Sequence, residues 1–162
     1  MTEKTLHDLF VDTLKDIYFA EKQILKALPK MAKAAQSDKL RDGFEKHLQE
    51  TEGHVDRLEQ IFDLLGKPAR GKTCEAIIGI IDEGKSIIED FKGTAALDAG
   101  LVSAAQAVEH YEMARYGTLK TWALRLNMAD AAALLDATLK EETATDKLLS
   151  NLAEGSINAK AA

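Results

Sequence analysis

Apolar side chains return along the chain at alternating intervals of three and four residues, the period of a helix with one face turned inward. In the first such stretch Phe10, Leu14, Ile17, Ile24, Leu28 and Met31 form the file, which predicts a helix from about Thr5 to Ala35. Thr5, with Asp8 three residues on, has the spacing of a capping box, and Pro29 predicts a bend in the last turns. Ser37 caps a second helix over about Asp38 to Leu65, stopped by Gly66. This helix carries two apolar edges, Phe44, Leu48, Val55 and Phe62 on one and His47, His54, Leu58, Ile61 and Leu65 on the other, so it needs two neighbours. A shorter isoleucine-rich helix follows from Thr73 to about Phe91, closed by Gly93 and Thr94.

The third long helix is predicted over about Ala96 to Leu126, with Val102, Ala105, Tyr116, Leu119, Ala123 and Leu126 inward. Asn127, with Asp130 three residues on, is expected to cap a fourth over about Met128 to Ala153, with Leu135, Leu139, Leu149 and Ala153 inward. The expected architecture is all-α, a four-helix bundle. Its short helix crosses diagonally between the second and third long helices, so that those two run parallel.

Acids and a histidine interrupt every one of these files. Glu21 stands in the first, Glu50 and His54 in the second, Glu109 and Glu112 in the third, and Glu142 and Asp146 in the fourth. A carboxylate moved into an apolar interior costs several kcal/mol unless a cation, a proton or a metal neutralises it. Six carboxylates converging with one imidazole would repel one another, and two divalent ions offset most of that charge. In the second and fourth helices a donor follows a glutamate by four residues, Glu50 to His54 and Glu142 to Asp146, which suggests two matched half-sites. Oxygen donors with one histidine favour iron, then manganese, over zinc or copper. His47 and His110 are expected outside the ligand set, and Tyr116 is expected to pack and hydrogen-bond.

Composition narrows the classes further. A chain of 162 residues with two prolines and ten glycines fits one helical domain. A net charge of −6 with scattered basic residues disfavours nucleic acid and anionic membranes as partners. A lone Cys74 leaves no intrachain disulfide, the first residues lead into an amphipathic helix, and no run approaches the ~20 apolar residues of a membrane span, so a cytoplasmic location is expected. Residues 66 to 73 spell the phosphate-loop pattern G-x-x-x-x-G-K-T, but that loop needs a strand before it, and a helix is predicted there.

Several segments together resemble a known family. They are Asp-Ile-Tyr-Phe-Ala-Glu-Lys-Gln at 16 to 23, His47-Leu-Gln-Glu-Thr51 through His54, Cys74 after the second helix, Val-Glu-His-Tyr-Glu at 108 to 112 with Ala114, Tyr116 and Gly117, and Leu139-Lys-Glu-Glu-Thr through Asp146. This combination is similar to the ferritin-like bacterial stress proteins named YciF and YciE, over nearly the whole chain. The resemblance implies a ferritin-like bundle, a homodimer and a dinuclear carboxylate centre like that of rubrerythrins. On it, Glu21, Glu109 and Glu112 match single or paired glutamate ligands, while Glu50/His54 and Glu142/Asp146 stand at the Glu-x-x-His positions. Glu109 and Glu142 are the bridging candidates, Glu21 and Glu50 terminal ligands, His54 the nitrogen donor, and Glu112 or Asp146 exchangeable. Two functional classes follow: a dinuclear iron or manganese oxidoreductase acting on oxygen or peroxide, and a stress protein whose metal is structural or stored.

Overall fold

A computed structural model describes residues 2–162 as a helical protein without strands among the described residues. The helices are α1 (Leu6–Ala34), α2 (Asp38–Leu64), α3 (Glu75–Asp90), α4 (Leu97–Arg125) and α5 (Ala129–Leu152). A widened turn at Ala153–Ile157 carries α5 into the short α6 (Asn158–Ala161). Among the described residues, no helix is long and apolar enough to cross a membrane.

Local chemistry sets most of these ends. Thr5 Oγ1 accepts from the Asp8 backbone N–H while the Asp8 carboxylate accepts from that of Thr5, completing the capping box. Ser37 Oγ accepts from the Leu40 N–H at the start of α2, and Gly66, at φ 64°, lets the chain leave its end. Two expected caps differ. Cys74 caps α3 in place of Thr73, its Sγ accepting from the Ile77 N–H. Asn127 takes a left-handed φ of 58° and terminates α4, so α5 begins after Met128 without a side-chain cap.

Cross-helix pairs fix the directions. Gln36 meets Asp98 at one end of α1 and α4, while Glu21 meets Tyr116 further along, so those two are antiparallel. Lys120 with Asp136 and Gln106 with Ser150 make α4 and α5 antiparallel. His47 with Glu109 and His54 with Tyr116 advance together, so α2 and α4 run parallel, as a diagonal crossover through α3 requires. The fold is therefore the expected ferritin-like bundle. Asp98 ties the start of α4 to the α1–α2 turn by accepting from the Gln36 and Ser37 N–H groups at 2.8 and 2.7 Å.

The crossover helix sits close to α4. A Cβ at Gly100 would come within 2.6 Å of Ile87 Cγ2, whereas nothing lies within 4 Å of one at Gly117. Gly100→Val is expected to cost about 2 kcal/mol through overpacking, and Gly117→Ala to gain up to ~1 kcal/mol from helix propensity. Urea denaturation of the two variants reads both signs. The 66–73 segment is a loop docked on α1: Gly71 packs against Phe19, the Lys72 N–H donates to the Lys15 carbonyl, and Lys72 Nζ pairs with Asp12. Its lysine is committed to a carboxylate, and no strand precedes it, so the phosphate-loop match is a coincidence of loop residues.

Candidate metal centre

Six buried side chains from four helices meet inside the bundle: Glu21 of α1, His47 and His54 of α2, Glu109 and Glu112 of α4, and Glu142 of α5. Helical spacing puts them there. His47 and His54 are seven residues apart, two turns on one face, within an inward file that runs Leu40, Phe44, His47, Thr51, His54, Leu58, Ile61. Glu109 and Glu112 lie three apart in an equally regular file of α4. The donors form two groups, His47 with Glu109, Glu112 and Glu142, and Glu21 with His54 and Glu142. Within each group one donor atom per residue lies within 4.8 Å of the others, and Glu142 belongs to both.

The contacts within the groups are close but badly aimed for hydrogen bonds. His47 Nε2 lies 2.7 Å from Glu109 Oε1, and His54 Nδ1 lies 2.8 Å from Glu142 Oε1 and 3.6 Å from Glu21 Oε1. Despite these ion-pair distances both nitrogens lack a hydrogen-bond partner, because distance alone does not align a donor with a lone pair. Nine buried side-chain nitrogen and oxygen atoms are unpartnered among the described residues, and all nine belong to these six side chains. Buried polar atoms are ordinarily satisfied. A knot of inward-facing lone pairs is what a hard divalent cation requires, and the four carboxylates balance the charge of two such ions.

Without a cation, the cluster must hold protons instead. Burial pushes Glu109 up to about 7 and Glu142 up to about 8, the latter with help from Glu109. Burial and then the neighbouring Glu142 and Glu21 carboxylates hold Glu112 well above the usual range. Burial opposes a charged His54, yet Glu142 and Glu21 outweigh it and raise the imidazole to about 11. Burial likewise opposes ionised Glu21, but His54, Glu112 and Tyr116 prevail and lower its pKa.

A second set of side chains holds the donors in place. His54 Nε2–H donates to Glu141 Oε2 at 2.8 Å, which leaves Nδ1 facing the centre, and Arg57 grips both Glu141 oxygens at 2.7 and 2.9 Å. Tyr116 O–H donates to Glu21 Oε1 at 2.8 Å. The hydrogen bond to Glu141 sets the tautomer and orientation of His54, so Glu141→Ala is expected to weaken metal binding about 10- to 100-fold while leaving the helix content intact. Competition titration with a chromophoric chelator measures it.

Of the residues anticipated from sequence, Glu21, His54, Glu109, Glu112 and Glu142 come together. Glu50 and Asp146 do not join them. Glu50 is half-buried, 3.8 Å from His47 Nδ1, 3.5 Å from Lys46 and accepting from Thr145 Oγ1. Asp146 turns out toward the groove between α4 and α5, where it meets exposed His110 at 3.0 Å and accepts from Gln106. The inward file of α5 is Leu135, Thr138, Glu142, Thr145, Leu149, so Leu139 and Asp146 fall on the flank and the matched Glu-x-x-x-donor half-sites dissolve. His47, expected at the periphery, is 3 % exposed and stands in the four-residue group. Its signal was the seven-residue interval to His54. Arg57 and Glu141 carried no periodic signal, being half-buried residues of ordinary type.

The chain matches known proteins over nearly its whole length. Residues 5–162 match the family described as a domain of unknown function, DUF892. Protein YciF of Escherichia coli K12 is 43 % identical over 162 residues, covering 99 % of this chain and 98 % of that protein. The crystal structure of the E. coli stress protein YciF superposes with a TM-score of 0.91, covering 96 % and 99 % of the two chains. A Rhodopseudomonas palustris protein named YcfI, described with the suggestion of a structural role, is 44 % identical with a TM-score of 0.89 over 91 % of this chain and 94 % of its own. A Xanthomonas campestris protein, 20 % identical with a TM-score of 0.75, shares the fold. With a family match over nearly every residue and a relative this close across its full length, the chain belongs to the DUF892 family, the family of YciF.

Proposed function

We propose that the protein is a stress-response metalloprotein that binds two divalent ions, iron ahead of manganese, between Glu21, His47, His54, Glu109, Glu112 and Glu142, and uses them on oxygen or peroxide. The observation that carries the reading is the confinement, among the described residues, of all nine unpartnered buried side-chain polar atoms to these six residues. Four glutamates and two histidines are also the donor total of dinuclear carboxylate bundles, here distributed as one glutamate, two histidines, two glutamates and one glutamate along α1, α2, α4 and α5. When bound, paired ions supply two one-electron steps side by side at an oxidant. The chain's own part is to present Glu142 to both groups, hold His54 Nδ1 inward through Glu141, fix Glu21 through Tyr116 and exclude water with the surrounding apolar files.

Protein loaded with Fe(II) under anaerobic conditions is the test. It is expected to consume oxygen or peroxide faster than free Fe(II) in the same buffer, and Glu109→Gln to remove that advantage. Tight metal binding with oxidation no faster than free Fe(II) would turn the reading toward a stored or structural metal. A homodimer, implied by the resemblance, is part of the proposal; a strict monomer by sedimentation at micromolar concentration would remove it.

A further inference from the structure

All six donors of the centre are at least 97 % buried, so an ion arriving with its water shell must first meet a side chain that reaches solvent. Among the described residues two partly exposed acids touch a donor through an ion pair or hydrogen bond, Glu141 at His54 and Glu50 at His47. The two contacts differ. Glu141 accepts from His54 Nε2 at 2.8 Å and has both oxygens held by Arg57, which closes that contact to a cation. Glu50 Oε2 stands 3.8 Å from His47 Nδ1, beyond hydrogen-bond range, and that nitrogen has no hydrogen-bond partner.

Small divalent ions sit about 2.1 Å from nitrogen and oxygen donors, so two opposed donors are up to ~4.2 Å apart. A gap of 3.8 Å takes one ion between Nδ1 and Oε2 with neither side chain moved. The other contacts of Glu50 are easily given up: exposed Lys46 reaches Oε1 at 3.5 Å, and Thr145 of α5 donates to Oε2 at 3.3 Å. Glu50 itself is 22 % exposed, while His47 Nε2 lies 2.7 Å from Glu109 Oε1, so the imidazole stands between a carboxylate open to solvent and one inside the centre. Resting on the metal-binding reading above, we infer that Glu50 and His47 Nδ1 form a transfer site at the seam of α2 and α5. There a divalent ion sheds water, displaces the Lys46 ammonium and passes to the group of His47, Glu109, Glu112 and Glu142. Glu50 then sets how fast the centre fills and empties and leaves the final affinity alone, because a lowered barrier is lowered in both directions.

Stopped-flow uptake of Co(II) by the metal-free full chain tests this, followed by the visible absorption that grows as water ligands give way to carboxylate and imidazole. Release is read by mixing loaded protein with excess EDTA, and affinity by competition with a chromophoric chelator. Glu50→Gln is expected to slow uptake and release about tenfold each and to leave the affinity within twofold. Lys46→Ala, which removes the competing cation from an exposed position, should speed both. Uptake by Glu50→Gln at the wild-type rate would overturn the inference. So would a lowered affinity with faster release, which would make Glu50 a carboxylate that only holds His47 as Glu141 holds His54. Uptake no faster in Lys46→Ala would contradict the displacement step. Wild-type protein that takes up no Co(II) would instead sink the metal-binding reading itself, so the two failures are told apart.

Discussion

The metal-free protein is expected to lose stability as pH rises from 5 to 8, and the metal-loaded protein to keep it. In the metal-free fold Glu109 titrates near 7, Glu142 near 8 and Glu112 well above the ordinary carboxyl range, so folded chains retain protons that unfolded chains release above about 4.5. A raised carboxyl pKa contributes stability at low pH that is lost as pH climbs from the unfolded value through the folded one. His54, raised to about 11, has the same sign, its contribution being complete below about 6.5 and declining upward. Glu21 is opposite, since its lowered pKa makes its contribution present above about 4.5 and lost only in acid.

Each retained proton changes stability by about 1.4 kcal/mol per pH unit. Two or three such protons over this window amount to on the order of 10 kcal/mol, a fall in melting temperature of roughly a few tens of °C for a chain of this size. Bound cations reverse the logic, because ionised carboxylates are the ligands and protons compete with metal. The gap between loaded and metal-free melting temperatures should therefore widen steadily with pH. Calorimetric scans at pH 5, 6, 7 and 8 read it, and a gap that stays constant or narrows would contradict the assignment of these carboxyls to the centre.

The Glu109→Gln/Glu142→Gln variant is expected to load less than a tenth of the metal taken up by the wild type, yet to melt higher than the metal-free wild type at pH 8. Glu109 contributes to one donor group and Glu142 to both, so neutralising the pair disables each group and removes two of the four carboxylates. The amides keep the glutamate shape and can donate to the remaining Glu21 and Glu112 oxygens, which relieves like-charge repulsion instead of opening a cavity. Loss of binding together with gained stability is the signature of a site whose acids are kept for a ligand and not for the fold. Elemental analysis beside a thermal melt reads both. Unchanged loading, or a metal-free variant less stable than the wild type at pH 8, would count against it.

How much of this was legible in the sequence differs by helix, for physical reasons. In α4 the inward file Val102, Ala105, Glu109, Glu112, Tyr116, Leu119 and Ala123 is buried as the spacing implied, because apolar neighbours on both sides of the acids fix the phase, while Leu126 at its end is only half-buried. In α5 the phase was ambiguous. Both Thr145 and Asp146 continue a three-or-four repeat from Glu142, and the sequence cannot say which until α4 and α2 are in place; packing chose Thr145 and left Asp146 to His110. In α2 the pairing of a glutamate with a histidine points to Glu50, whereas the seven-residue interval between His47 and His54 is what puts both imidazoles in the buried cluster. The cap at Cys74 and the left-handed Asn127 were equally hidden, since a one-residue choice of cap depends on how the turn docks.

Crystals of protein loaded with iron, measured at the iron absorption edge, test the central claim most directly. Two anomalous-difference peaks per chain are expected, one inside the group of His47, Glu109, Glu112 and Glu142 and one inside the group of Glu21, His54 and Glu142, with Glu142 next to both. A bundle interior without a peak, or iron bound instead at Asp146 and His110, would contradict it.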